Sequence, residues 1–148
     1  MSFLLHVIQS LTDPLCSLIT DDPVRPEIPL EFRVSASSEI FVLLDELSLE
    51  PLAAVCCAYR DSIPENTTDL VLQPLAASVA VFYTIWSYKP GAGRRLIITA
   101  RRWIQDNRSD ITKFVTLSPP TDMARVFHLR NGAEVFRVNT DTVNYLYP

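Results

Sequence analysis

Residues 77–88 read ASVAVFYTIWSY, apolar almost without a break, and the chain then turns through KPGAG into RRLIITARRWIQ. An apolar run of that length, rich in β-branched and aromatic residues, predicts a central strand covered on both faces. Behind it, Leu96, Ile97, Ala100, Trp103 and Ile104 recur at the period of an amphipathic helix. A buried strand that enters a helix through a Gly-x-Gly turn commits the chain to helix layered on sheet. The turn stands out for a second reason. The chain has only three glycines, Gly91, Gly93 and Gly132, where average usage of about 7% would give roughly ten. A chain this sparing of glycine keeps it where a side chain does not fit.

The remaining elements follow from spacing and punctuation. Leu4, Val7, Ile8 and Leu11, then Leu15, Leu18 and Ile19, predict two short helices over residues 3–20, the second capped by Asp13 with Pro14 at its first position. DDPVRPEIP is a proline-rich connection. Strands are expected at EFRV, EIFVLLDE and LAAVCCAYRD, then a capped turn at IPENTTDL and a short helical piece at VLQPL. After the long helix come a strand at KFVTL, a helix at TDMARVFHLRN capped by Thr121 and closed by Gly132, and a terminal hairpin, AEVFRVN and VNYLY. With 148 residues and no linker or repeat, this is one α+β (α/β) domain.

Charge is lopsided. Residues 1–74 carry 12 acidic and 3 basic side chains, whereas residues 75–148 carry 5 acidic and 10 basic. A basic half on a chain of net charge −4 points to a local anion site, and nucleic acid is not an expected partner. The longest apolar runs fall short of the roughly 18 residues of a membrane span. The N-terminus meets Asp13 early and has no basic residue before its apolar part, so it is not read as a signal peptide. Cys16, Cys56 and Cys57 have no metal-ligand spacing and read as buried thiols of a reducing compartment.

Two stretches carry candidate chemistry. In SYKPGAGRR, a helix start presents unpaired N–H groups and the positive end of its dipole, with Arg94 and Arg95 in the first turn. Cations there oppose the dipole, a residue choice that makes sense if an anionic ligand offsets it. Neither GxxxxGK[ST] nor a third glycine with a following acidic residue is present, which excludes a mononucleotide P-loop and a dinucleotide fingerprint. In FVTLSPPTDMARVFHLRNGA, Ser118 ends a strand before Pro119 and His128 lies on a helix, either a catalytic pair or polar residues that serve the fold.

These motifs resemble the GCN5-related N-acetyltransferase (GNAT) superfamily over residues 32–148. Its phosphate loop, Gln/Arg-x-x-Gly-x-Gly/Ala, is matched by YKPGAG at Gly91 and Gly93, with Tyr88 departing at the leading position. Ala124, His128 and Gly132-Ala133 keep the spacing of a later family helix, so His128 stands where the family's tyrosine acid stands. FYTIWSYKPGAGRRLI, FVTLSP and FHLRNGAEVFRVN are also similar to the C-terminal, GNAT-like domain of malonyl-CoA decarboxylase, in which a serine and a histidine act together; by motif these are Ser118 and His128. Short virus-encoded acyltransferase-like proteins are similar here too.

The resemblance implies a mixed, mostly antiparallel central sheet with splayed middle strands, flanked by helices, with an N-terminal helical extension. The expected division is N-terminal helices and a Pro-rich connection over 1–30 and an acyl-CoA-binding core over 32–148. It implies acetyl-CoA or another acyl-CoA as substrate, held by Tyr88, Lys89, Gly91, Ala92, Gly93, Arg94 and Arg95, with His128 and Ser118 catalytic and no metal. The expected function is an acyl-CoA-dependent acyltransferase acting on an amine or protein acceptor drawn by acidic residues such as Asp45, Glu46, Glu50, Asp61 and Glu65. The alternatives are a malonyl-CoA decarboxylase-like enzyme and an inactive fold that binds a host or partner protein. A homodimer through the terminal hairpin is expected, and a cytoplasmic location, that of the host if the chain is virus-encoded.

Overall fold

The computed structural model describes residues 2–148. Seven strands form one sheet: β1 (Phe3–Ile8), β2 (Ser38–Asp45), β3 (Pro51–Arg60), β4 (Val79–Ser87), β5 (Lys113–Thr116), β6 (Glu134–Val138) and β7 (Val143–Tyr147). Their order across the sheet is β1-β2-β3-β4-β5-β7-β6, and every pairing is antiparallel except β4 with β5. Four α-helices, α1 (Leu30–Arg33), α2 (Thr67–Leu70), α3 (Ala92–Asn107) and α4 (Asp122–Arg130), and a 3-10 helix at Pro14–Asp21 complete it.

The alternation of side chains across the strands divides the core in two. On one face, α3 buries Leu96, Ile97, Ala100 and Ile104 against Phe41, Val55, Phe82 and Tyr145. On the other, the 3-10 helix and the segment around α1 cover Ile40, Val42, Ala54 and Val81 with Cys16, Ile28 and Val34. Adjacent Cys56 and Cys57 therefore point into opposite layers, both buried and unpaired. Each buried leucine- or phenylalanine-sized side chain contributes about 1.5–3 kcal/mol of hydrophobic stabilisation.

Three expected elements differ. Residues 3–8 form β1 rather than a helix, pairing with β2 from Phe3↔Asp45 to Ile8↔Ile40. Phe3, Leu5 and Val7 pack toward α3, so a period of two underlies the apparent helical spacing, and six residues are too few for periodicity to decide. EFRV lies largely in the helical turn α1, because Arg33 is drawn inside to donate to the Ile28 and Arg25 carbonyls and to Asp22. VLQPL is not helical; α2 ends at Leu70. The expected caps are present: Asp13 accepts from the Leu15 N–H, Asn66 from Asp69, and Thr121 from Ala124. The edge of the hairpin is β6, not the last strand, since β7 is paired on both sides.

The two middle strands make the site. β4 and β5 run parallel only from Val79↔Lys113 to Phe82↔Thr116, and their last ladder bond is from the Leu117 N–H to the Phe82 carbonyl at 3.0 Å. β4 then continues along β3 as far as Ser87↔Ala53, while the chain after β5 bends away to pair Ser118 with Val143. The middle of the sheet splays there.

Candidate active site

A cavity of about 640 Å³ fills the splay. β4 contributes Phe82 to Ser87, the segment following β5 contributes Leu117 to Pro119, α4 contributes Phe127 and His128, and Pro23 and Val24 close it. Its lining is mostly apolar and contains no Asp, Glu, Lys or Arg. Ser118 and His128 both line it, so the structure brings the two candidate residues to one cavity.

His128 is in the last turn of α4, 4% exposed. Its ring stacks on Tyr145 at 5.0 Å between centroids and meets Tyr147 and Phe127 edge-on. Burial pushes its pKa down to about 4, so the imidazole is neutral at pH 7. Nδ1 lies 2.7 Å from the Tyr147 hydroxyl, which burial pushes up to about 12 and keeps protonated. Where the Tyr147 hydroxyl donates to Nδ1, the ring proton resides on Nε2.

Ser118 is fixed by its backbone, with both its N–H and its carbonyl 2.9 Å from Val143. Its hydroxyl donates to Thr116 Oγ1 at 2.8 Å, which also accepts the Tyr145 N–H at 3.0 Å. Ser118 and His128 share the cavity without a hydrogen bond between them. The arrangement is a set of hydrogen-bonding groups, not a nucleophile paired to its base.

The glycine turn lies beside this cavity. Gly91 caps α3 at φ 78°, a left-handed conformation that a side chain rarely adopts. Gly93 is buried against the cavity wall: a Cβ there would stand 2.8 Å from Ser87 Oγ and 3.3 Å from the Phe127 ring. Arg94 and Arg95 are exposed, and the Arg95 guanidinium lies 4.9 Å from the centre of the Phe3 ring. Lys89, Gly91, Ala92 and Arg95 border a second hollow of about 590 Å³ with Asp45 and Glu50. Tyr88 is turned away from both: its hydroxyl donates to Asp21 at 2.7 Å and accepts from Trp86 Nε1 at 2.9 Å. Thus Gly93 joins the cavity to the loop, and Tyr88 ties the loop to the 3-10 helix.

The acidic residues expected to draw an acceptor do not reach the cavity. Asp45 and Glu50 border the second hollow, and Asp61 follows the far end of β3. Among the described residues, no group of three or more His, Cys, Asp and Glu side chains is placed to hold a metal, and no helix is long and apolar enough to cross a membrane. Reading the sequence misses Tyr147, Thr84 and Arg25. The alternation of VNYLY does place Tyr145 and Tyr147 on one face. Nothing local marks Arg25, whose partners are distant in sequence.

The splayed sheet, the glycine turn and the helix behind it make the fold that of the GNAT acetyltransferases. A putative GNAT-family acetyltransferase from Desulfovibrio desulfuricans superimposes with a TM-score of 0.66 at 11% identity, over 98% of each chain. A putative N-acetyltransferase from E. coli, solved bound to coenzyme A, gives 0.61 at 11% identity over 99% of each chain. Malonyl-CoA decarboxylase from Rhodopseudomonas palustris gives 0.80 at 21% identity, over 98% of this chain and 59% of that one. The chain spans 39–60% of the length of three such decarboxylases. No family model and no curated protein matches the chain.

Proposed function

We propose that the chain is an acyl-CoA-dependent enzyme that works on the thioester in the splay between β4 and β5. One observation carries this: His128 and Ser118 line a single cavity that opens beside the glycine turn and contains no ionised side chain. Lys89, Arg94 and Arg95, with the free N–H groups of the first turn of α3, suit the phosphates of the substrate. The apolar cavity suits the acyl end of its pantetheine arm.

Two reactions fit, and the chemistry of the lining separates them. Transfer to an amine needs a group to take the ammonium proton, and neither a carboxylate nor a basic histidine is there. Loss of CO₂ from malonyl-CoA needs no such base. The bond between the α-carbon and the carboxylate breaks, its electron pair passes into the thioester enolate, and CO₂ leaves. In this reading an Nε2–H of His128 would hydrogen-bond the enolate oxygen, and Ser118 would orient the departing carboxylate. A proton from water then completes acetyl-CoA. The geometry therefore favours decarboxylation, with transfer to an uncharged acceptor as the second reading, supported by the strand fold it shares with acetyltransferases.

The test is mass spectrometry of malonyl-CoA incubated with the native protein and with His128→Ala. Acetyl-CoA formed by the native protein and lost in the variant supports decarboxylation. Malonyl-CoA returned unchanged, with acyl-CoA consumed only when an alcohol or amine is added, moves the assignment to transfer. No bound CoA and no turnover would refute both.

A further inference from the structure

Where β4 and β5 part, the backbone acceptors that a continuing ladder would satisfy need other donors. In a parallel ladder continued past Phe82↔Thr116, the Leu117 carbonyl would meet the Thr84 N–H, and the Thr84 carbonyl would meet the N–H of residue 119. Residue 119 is proline and has no N–H to give. The Leu117 carbonyl is taken instead by Arg25 Nη2 at 2.9 Å. Nε of the same guanidinium donates at 2.9 Å to the carbonyl of Tyr83, the residue left unopposed where the β3–β4 register shifts. Its Nη1 donates to Thr67 Oγ1 at 3.0 Å.

Arg25 is itself locked. Asp22 Oδ1 accepts the Val24 and Arg25 N–H groups and the Thr84 hydroxyl, and Arg33 Nη2 donates to the Arg25 carbonyl at 2.6 Å. The Asp22 carboxylate is paired with Arg33, so the Arg25 guanidinium, 8% exposed, makes no ion pair of its own. Burying a cation among neutral acceptors is unfavourable compared with an apolar side chain that would fill the same space. What the position gains is a rigid planar fork, able to hold two carbonyls on diverging strands at once.

We propose that Arg25 is a positioning residue, a wedge whose guanidinium keeps β4 and β5 apart and so sets the gap in which His128 and Ser118 meet a thioester. The identity of the thioester rests on the acyl-CoA reading above; the wedge does not.

The experiment compares the native chain with Arg25→Met and Arg25→Lys, by hydrogen exchange across β4 and β5 and by calorimetric titration with coenzyme A. In both variants, exchange at residues 83–87 and 117–118 is expected to change by about tenfold or more while β2 and the first half of β3 keep native rates, since the two carbonyls lose their shared donor. Coenzyme A affinity is expected to fall by a similar factor in both, because a lysine ammonium cannot serve both strands as the fork does. Native exchange at the fork in the folded Arg25→Lys protein overturns the wedge, and so does native affinity in that variant. If Arg25→Met does not fold, Arg25→Lys alone decides. If the native protein binds no coenzyme A, the acyl-CoA reading fails and the exchange data alone decide the role of Arg25.

Discussion

Lowering the pH from 7 to 5 should destabilise the native protein through His128 alone by about 2 kcal/mol. The imidazole titrates near 4 when folded, because it is buried, and near 6.5 in the unfolded chain. Between these values the unfolded chain holds the proton and the folded one does not, so acid favours unfolding. The stability that the neutral ring contributes is complete above about pH 6.5 and lost progressively as pH falls toward 4, for a total of about 3 kcal/mol. Urea unfolding at the two pH values, with native protein and His128→Gln, isolates the effect. Glutamine does not titrate, and His6 and every carboxylate are common to both proteins and cancel in the difference. A pH-dependent difference below about 0.5 kcal/mol would mean that His128 is already protonated or wet in the folded state. That result would refute the neutral imidazole on which the decarboxylation chemistry depends. An NMR titration of the His128 ring with a midpoint above 6 would do the same.

Gly93→Ala should gain up to about 1 kcal/mol of helix propensity and lose about 1–3 kcal/mol to overpacking against Ser87 and Phe127, whose positions shape the cavity. Coenzyme A affinity measured by calorimetry should then fall about tenfold, and a fall below about twofold would remove Gly93 from the seating of the ligand. Gly91→Ala meets no atom within 4 Å but must hold φ 78°, so it should cost about 1–2 kcal/mol in urea unfolding; no loss would show that the turn relaxes. If the chain dimerises, the exposed β6 edge with Val135, Phe136 and Val138 is its proposed contact, and Val138→Lys should dissociate it. A native monomer in sedimentation at high concentration would dismiss that contact.

The parts legible in the sequence are those whose causes are local. β4 is apolar on both faces over consecutive residues, α3 repeats its stripe for four turns, and Asp13, Asn66 and Thr121 cap the residues next to them. His128 and Ser118, singled out by their motifs, both line one cavity. The failures have distant causes. Phe3–Ile8 satisfies a helical and a strand period equally, and only its pairing with β2, more than thirty residues on, decides between them. Arg33 makes EFRV a turn because its guanidinium has partners inside the molecule. Arg25 is one of three basic residues in the first 74, yet the carbonyls it holds lie 58 and 92 residues away. The place of β7 inside the sheet depends on strand order, which alternation does not encode.

The same distinction bears on the reaction. The acidic first half of the sequence invites a cationic acceptor, but net charge by sequence position is not charge by place. Asp45 and Glu50 stand with Lys89 and Arg95 around the second hollow, while the cavity with His128 is lined by no Asp, Glu, Lys or Arg. An ammonium entering that cavity would lose its water and gain no counter-ion, which disfavours it strongly. A thioester carrying a carboxylate faces a milder problem, because its charge passes to the enolate oxygen as CO₂ leaves and is then quenched by a proton. Tyr147, kept protonated by its burial, lies 2.7 Å from Nδ1 of His128, and where its hydroxyl donates there Nε2 carries the ring proton. A site built from neutral donors suits negative charge that develops on oxygen and is then quenched by a proton, and it gives an acceptor amine nothing to surrender its proton to.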